Sequence, residues 1–458
     1  MTNSQWPPVT RRAGAGSAEL IRAVGFWGLV ALCINAVVGS GVFLLPSETY
    51  ALLGPFSLWA PILFALPVFV LVLCFASASS HFSAAGGPYL YAATAFGDFV
   101  GFETGWMNWL ARLTSLAALS NGFVLSLARI WPLAAEPGPR ALLIVGSLLA
   151  LAAIHAAGVR YGAATIYVLT FGKLFPLLLF VVVALALFPS NPVPASLSLP
   201  AGEVGWGEAA LFMLFAYAGF ENLGVPAGEY RNPRRDLPKA LLLGVLGIAA
   251  LYALAQLAAM AVLPDLGATQ TPIADAAGVL LGPAGAVLVT VGAAVSILGT
   301  NSGTMLEGSR LLYALSIGRR PYRLISRVHP RFRTPLVAIA LHAGLAVPVA
   351  LGGSFAQLAL LSAVARMTTY LVTCAAVPRL ARISPGFRVP WWLPWLGVGI
   401  SLVLFTTLGK WHALAALIAL AVGALLYALD RALPEAEETL GEAARHGDPA
   451  VAPAEPPR

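Results

Sequence analysis

Charge is what this chain has least of. Only 10% of its 458 residues are Asp, Glu, Lys or Arg, while 59% are apolar and the mean hydropathy is +0.82. Ordinary soluble domains carry about 25% charged residues. So few charges cannot cover a water-facing surface of this size, which excludes a soluble globular fold and implies a bilayer as solvent. Cysteine is scarce as well. Cys33, Cys74 and Cys374 lie far apart in apolar runs, an arrangement that argues against a disulfide framework or a metal site and reads as small core residues. No cleavable leader is expected, because the first 25 residues are polar and hold Pro7, Pro8, Arg11, Arg12 and Arg22. The chain also lacks His-Glu-x-x-His, Gly-x-Ser-x-Gly and a phosphate-binding Gly-rich loop with Lys. An enzyme, an ATP-driven pump and a bound cofactor are therefore not expected, although a catalytic pair embedded in helices would escape such a scan.

What the chain does have is long apolar runs. Spanning the hydrocarbon takes roughly 20 apolar residues. By that measure an all-α membrane protein of about twelve helices is expected, near 26–52, 56–81, 98–131, 141–158, 164–188, 208–228, 238–263, 284–315, 334–352, 355–378, 391–409 and 411–430. The segment 82–97 reads as a loop. Residues 1–25 form a polar N-terminal segment and 26–431 the membrane domain. The stretch 432–458, rich in Pro, Ala and Glu with Glu435, Glu437, Glu438 and Glu442, reads as a disordered tail.

The formal charge of +7 raises the question of nucleic acid. The cations sit instead in short segments between apolar runs, so no nucleic-acid partner is expected. With the N-terminus inside, Arg11, Arg12, Arg22, Arg160, Arg231, Arg234, Arg235, Lys239, Arg319, Arg320, Arg323, Arg327, Arg331, Arg333, Arg379, Arg382 and Arg388 fall on one side. Only Arg129, Arg140 and Lys410 fall on the other. That asymmetry places both termini in the cytoplasm of a multi-pass protein of the cell membrane.

Two runs are interrupted. The first reads Val37-Val38-Gly39-Ser40-Gly41, and the sixth reads Phe215-Ala216-Tyr217-Ala218-Gly219-Phe220-Glu221. Glycines in mid-span let the backbone leave helical geometry. In lipid that survives only where the freed groups are buried in protein or line a cavity. The breaks lie about 180 residues apart at matching places in two halves, the best pointer from sequence to a transporter binding site. Free N–H groups after Gly39-Ser40-Gly41 suit a carboxylate, and free carbonyls before each break suit an ammonium group. Close helix packing is the other use of such small-residue runs.

These residues carry a resemblance. Val38-Gly39-Ser40-Gly41-Val42-Phe43-Leu44-Leu45-Pro46 resembles the first-helix signature of the amino acid–polyamine–organocation superfamily. Gly86-Gly87-Pro88-Tyr89-Leu90-Tyr91, the sixth-helix stretch, Arg231-Asn232-Pro233-Arg234-Arg235-Asp236-Leu237-Pro238 and Arg310-Leu311-Leu312-Tyr313-Ala314 resemble further family motifs in order. The resemblance implies the LeuT-type fold. Five helices (about 26–188) would repeat in inverted orientation (about 208–378), with two more at 391–430 and helices 1 and 6 broken. It also implies that Ser40 and Gly41 hold a substrate carboxylate, that the carbonyls of Val37, Phe215 and Ala218 take its amine beside Gly219, and that Phe215 closes the site as a lid. Leu116 stands where arginine/agmatine antiporters place an Asn, which argues against guanidinium specificity. Phe220 and Val37 suggest an apolar pocket.

Ions inside a membrane are functional candidates by default, since each costs about 2.5–3.5 kcal/mol on insertion scales. Lys173 lies inside the fifth helix, where the resemblance implies a sodium site in symporters and a lysine in several relatives. It is expected either to couple protons or to stabilise the first break, with transport independent of sodium. Glu221 is expected to order the second break or relay a proton. Glu307, Arg366, Glu103 and Arg112 read as one polar interior of undetermined pairing. His155 and His342 read as structural. The expected function is secondary transport of an amino acid or related amine by proton-coupled symport or exchange. A nutrient-sensing receptor or a channel on the same fold is the alternative.

Overall fold

The computed structural model describes residues 24–82, 86–157, 163–187, 204–224, 230–317, 319–383 and 385–432. Arg11, Arg12, Arg22, Arg160, Pro226, Gly228, Glu229 and the tail from Pro434 lie outside the described residues. Among the described residues the secondary structure is helical, with a single isolated bridge between Val24 and Tyr230.

The first half runs through α1 (Phe26–Val37), α2 (Gly41–Leu53), α3 (Ala60–Ser80), α4 (Pro88–Phe96), α5 (Asp98–Ala128), α6 (Pro137–Ala156) and α7 (Ala163–Leu187). The second runs through α8 (Trp206–Tyr217), α9 (Pro233–Val262), α10 (Pro272–Ser316), α11 (Leu336–Gly352), α12 (Phe355–Ile383), α13 (Leu393–Thr406) and α14 (Lys410–Ala432). Among the described residues, seven helices are long and apolar enough to cross a membrane. An eighth span results if the pair formed by α1 and the segment Gly41–Leu58, bent by 47°, counts as one. Four shorter apolar helices, Phe171–Leu187, Trp206–Tyr217, Leu336–Gly352 and Leu393–Thr406, accompany them.

Side-chain exposure sorts the helices. Most of α5 and α12 is buried, whereas little of α6 and α14 is. The exposed faces are apolar, with Leu142, Leu149, Phe171, Val182, Leu417 and Leu425 among the large side chains turned outward. Water would not tolerate so continuous an apolar exterior, but hydrocarbon does. Trp391, Trp392, Trp395 and Trp411 stand exposed at helix ends, where indoles suit a membrane interface.

Charge gathers at the two ends of the bundle. At the start of α5, Asp98 accepts from Arg319 Nη2 (3.1 Å), and Arg319 Nη1 donates to Asp430 at 2.6 Å, so one guanidinium ties α5 to α14. At the far end of α5, Arg129 pairs with Asp275, and Arg140 Nη2 donates to Asn121 Oδ1 (2.7 Å) and Gly353 O (3.0 Å).

The structure corrects one reading and extends another. Residues 82–97 are not only loop. Pro88, which lacks an N–H and has a preset φ, opens α4 at its first turn, and the helix ends at Gly97. The helix expected at about 284–315 is present, from Pro283 to Ser316; a further helical stretch from Pro272 precedes it across a kink at Gly282 (φ 69°). The three cysteines are free and buried, as expected of core residues. Cys74 and Cys374, distant in sequence, nevertheless both pack against Gly397.

Candidate functional site

The first break falls between α1 and α2. Val38 leaves helical geometry (ψ 93°), and the helix resumes at Gly41 with Ser40 as its unfilled N-cap. Ser40 is buried, and its hydroxyl has no hydrogen-bond partner. The carbonyls on the other side of the break are well partnered. Lys173 Nζ donates to Asn35 O (3.0 Å), Val38 O (3.0 Å) and Thr300 Oγ1 (3.1 Å). Ser296 Oγ donates to Val38 O at 3.4 Å. Those donors replace the lost helical ones, as low-dielectric burial demands.

The second break follows α8. Ala218 is extended (φ −69°, ψ 153°), Gly219 takes φ 126°, and Phe220–Asn222 form one tight turn. Only glycine adopts that φ readily. Gly219 N donates to Glu221 Oε2 at 2.7 Å, so the carboxylate caps the break that precedes it.

The two breaks touch. A methyl group on Gly219 would lie 2.4 Å from Ala36 O, and one on Gly41 would lie 2.9 Å from Ala216 Cα. Tyr252 of α9 bridges them: its hydroxyl donates to Ala216 O (2.9 Å) and lies 3.3 Å from Val37 O. Gly219→Ala would combine a disfavoured φ with a backbone clash. We expect it to lower stability by at least about 2 kcal/mol and to abolish function, read as a fall in the unfolding midpoint in detergent and loss of uptake in proteoliposomes. A variant that unfolds and transports like the parent would contradict this packing.

Between the breaks lies a cavity with about 330 Å³ of empty space, its open mouth included. Val37, Ser40, Gly41, Phe215 and Ala218 line it. Gly219 does not; it packs on Ala36 instead. The carbonyl of Val37 already faces Tyr252, and that of Phe215 accepts from Ala218 N (3.1 Å), leaving each one lone pair. Phe215 meets Phe355 edge-on, with ring centres 6.0 Å apart.

Of Phe220 and Val37, which suggest an apolar pocket, Val37 lines the cavity and Phe220 does not. Phe220 turns away and stacks on Tyr370 (5.6 Å), because the tight turn after Gly219 points it into the core. Helix α5 contributes Arg112, Ser115 and Leu119 to the lining; Leu116, at the edge of the same face, is wholly buried and does not line the cavity.

The polar interior resolves into one network. Glu221, fully buried, accepts from Arg112 and from Arg366 Nε (2.8 Å), and Tyr370 OH lies 3.4 Å away. Arg112 Nη1 also donates to Glu307 Oε2 at 3.1 Å, which accepts from Asn222 Nδ2 at 3.2 Å. Arg366 donates to Ser362 Oγ (2.6 Å) and Ser115 Oγ (2.7 Å). Glu103 stands apart. It lies at the contact of α5 with Gly423, because its position on α5 turns it toward α14 rather than toward the cavity. His342 packs between Trp109 and Gly308, and His155 Nε2 lies 2.9 Å from Ser302 Oγ, both away from the cavity.

Sequence reasoning missed Tyr252, Thr300 and Ser115. Tyr252 left a trace as a lone hydroxyl-bearing ring in the apolar run of α9, but nothing local says which backbone it reaches.

A family model of amino acid permeases matches residues 24–427, nearly the whole chain. An uncharacterized transporter of Mycobacterium tuberculosis is 29% identical over 391 residues, covering 79% of this chain and 81% of the relative. A serine/threonine exchanger of Bacillus subtilis is 29% identical over 338 residues, covering 72% and 76%. A methylthioribose transporter of the same organism is 26% identical over 449 residues, covering 92% and 96%. The relatives are transporters rather than enzymes. With its broken helices, apolar exterior and match from end to end of the membrane domain, the chain belongs to the amino acid permease family.

Proposed function

We propose that this permease is a secondary active transporter that carries an amino acid across the cytoplasmic membrane by alternating access between the two breaks. The observation that carries the reading is the direct contact of residues 36–41 with residues 216–219 around a cavity that holds an unpartnered, buried hydroxyl. Ser40 Oγ and the first N–H groups of α2 would take the substrate carboxylate, with the positive end of that helix behind them. The remaining lone pairs on the carbonyls of Val37, Phe215 and Ala218 would take its amine. Phe215 would act as the lid.

In this reading the chain crosses the membrane twelve times. The four shorter apolar helices and the bent pair join the seven longer spans, with both termini in the cytoplasm. The packing supports an inverted five-helix repeat. The segment α1–α2 meets α8, α3 meets α9, and α5 meets α10, each a counterpart pair across the two halves. The contact of α5 with α12 is mirrored by that of α10 with α7. The sidedness is supported by the basic residues after α10, which lie at the same end as Asp98, opposite Arg129 and Arg140.

Lys173 occupies the carbonyl nest at the first break. Its three N–H groups meet three acceptors, so a fixed ammonium does there what a metal cation would do. Transport is then sodium-independent, with exchange or proton coupling as the driving step. Replacing sodium by choline should leave proteoliposome uptake within about twofold, whereas strict sodium dependence would overturn this assignment.

The first test is a screen of the purified protein for thermal stabilisation by amino acids and amines, since a ligand at a hundredfold excess over its Kd adds about 2.7 kcal/mol. Hits should exchange in counterflow. Saturable binding without movement would mean a receptor, and flux without saturation a channel. Either would overturn the transporter reading.

A further inference from the structure

The geometry points to an acidic amino acid, one whose side chain ends in a carboxylate, as the substrate class of this cavity. The inference rests on the reading of the cavity as the substrate site. Two independent features support it.

The first is which charges face the cavity. Among the described residues lining it, the charged ones are Arg112 and Arg366. Their carboxylate partners, Glu221 and Glu307, sit behind them and do not line it. An arginine carries five N–H groups. Arg366 engages one on each nitrogen and Arg112 one on each terminal nitrogen, so both keep further N–H groups on their terminal nitrogens. A guanidinium pair with unengaged donors is suited to a carboxylate, whose two oxygens match its fork. A side chain that ends in ammonium or guanidinium would meet two fixed cations and no anion on the wall.

The second is the balance of buried charge. The cavity and the groups packed against it hold three buried cations, Lys173, Arg112 and Arg366, against the buried Glu221 and the partly exposed Glu307, whose side chain is 24% accessible. Buried ions need partners. A neutral zwitterion leaves that set one cation in excess, and a cationic substrate doubles the excess. An acidic amino acid carries one net negative charge and neutralises it. The two poles also divide the work. The N–H groups at Gly39–Gly41 with Ser40 Oγ hold the α-carboxylate, and Arg112 with Arg366 holds the second.

The test uses the whole protein in nanodiscs and proteoliposomes. Glutamate and aspartate are compared with their near-isosteric amides, glutamine and asparagine, and with serine, arginine and agmatine. For at least one acid, half-maximal thermal stabilisation should come at a concentration at least tenfold below that of its amide, and the same acid should compete best in counterflow. The double variant Glu221→Gln/Arg366→Gln keeps the excess of one cation while removing one guanidinium from the wall; there the preference for acid over amide should fall at least threefold, the remaining excess charge sustaining the rest. If serine, an amide or a cationic amine matches or beats the acids in the parent, or if the double variant keeps the parent's preference, the proposal is overturned and the permease reading stands. If no amino acid stabilises or exchanges, the permease reading fails with it.

Discussion

Glu221→Gln will lower the unfolding midpoint in detergent by about 5 °C or more and remove transport. The carboxylate is the shared partner of Arg112 and Arg366, and it also accepts from Gly219 N. Removing one member of a buried ion group leaves the others uncompensated, at a cost of about 3–5 kcal/mol. Both guanidiniums are largely withdrawn from solvent, Arg112 and Arg366 being 3% and 2% exposed. Glu307 holds Arg112 from one side only, and Arg366 would keep only two serine hydroxyls. Removing a cation together with the anion restores the balance, because a buried pair replaced as a unit is often neutral. Glu221→Gln/Arg366→Gln should therefore recover at least half of the lost midpoint. A single variant as stable as the parent would show that the three residues do not act as one network.

Ser40→Pro is expected to reduce transport to below about a hundredth of the parent while leaving the protein folded and in the membrane. Ser40 already has φ −76°, inside the range that proline imposes, and it caps the N-terminus of α2, where a missing N–H breaks no helical bond. What the variant loses is the backbone N–H of a residue that lines the cavity, together with a buried hydroxyl that has no protein partner. The effect should appear in uptake and in the loss of ligand-induced stabilisation, with the unliganded midpoint close to that of the parent. Unchanged uptake would mean that the carboxylate is held elsewhere.

Much of this was legible in the residues. Scarcity of charge dictated the solvent, and Gly39-Ser40-Gly41 and Gly219 marked where helices could break, because glycine in mid-span lets the backbone leave helical geometry. Lys173 was legible as an anomaly, an ammonium inside an apolar run, and the structure places it on the carbonyls of Asn35 and Val38. Pairing was not legible. Arg112 and Glu221 stand 109 residues apart, and whether they meet depends on the rotational phase of two helices, which an apolar run all round does not reveal. For the same reason Glu103 could not be separated from Arg112, although nine residues on one helix turn them toward different neighbours. The place of Phe220 was not legible. Its neighbourhood to the break was clear, but the tight turn that rotates it onto Tyr370 is set by tertiary packing. Helix α4 was hidden by its length, since nine residues are too few to register as a span.

The central claim is that two lengths of unwound backbone, belonging to different halves of the chain, hold one amino acid between them. The most direct measurement is a cryo-EM map of the protein in nanodiscs with saturating substrate. The account predicts substrate density between the N–H groups of Gly39–Gly41 and the backbone of Phe215–Ala218, with both breaks intact. Substrate density elsewhere, or continuous helix through residues 37–41 or 215–221, would contradict it.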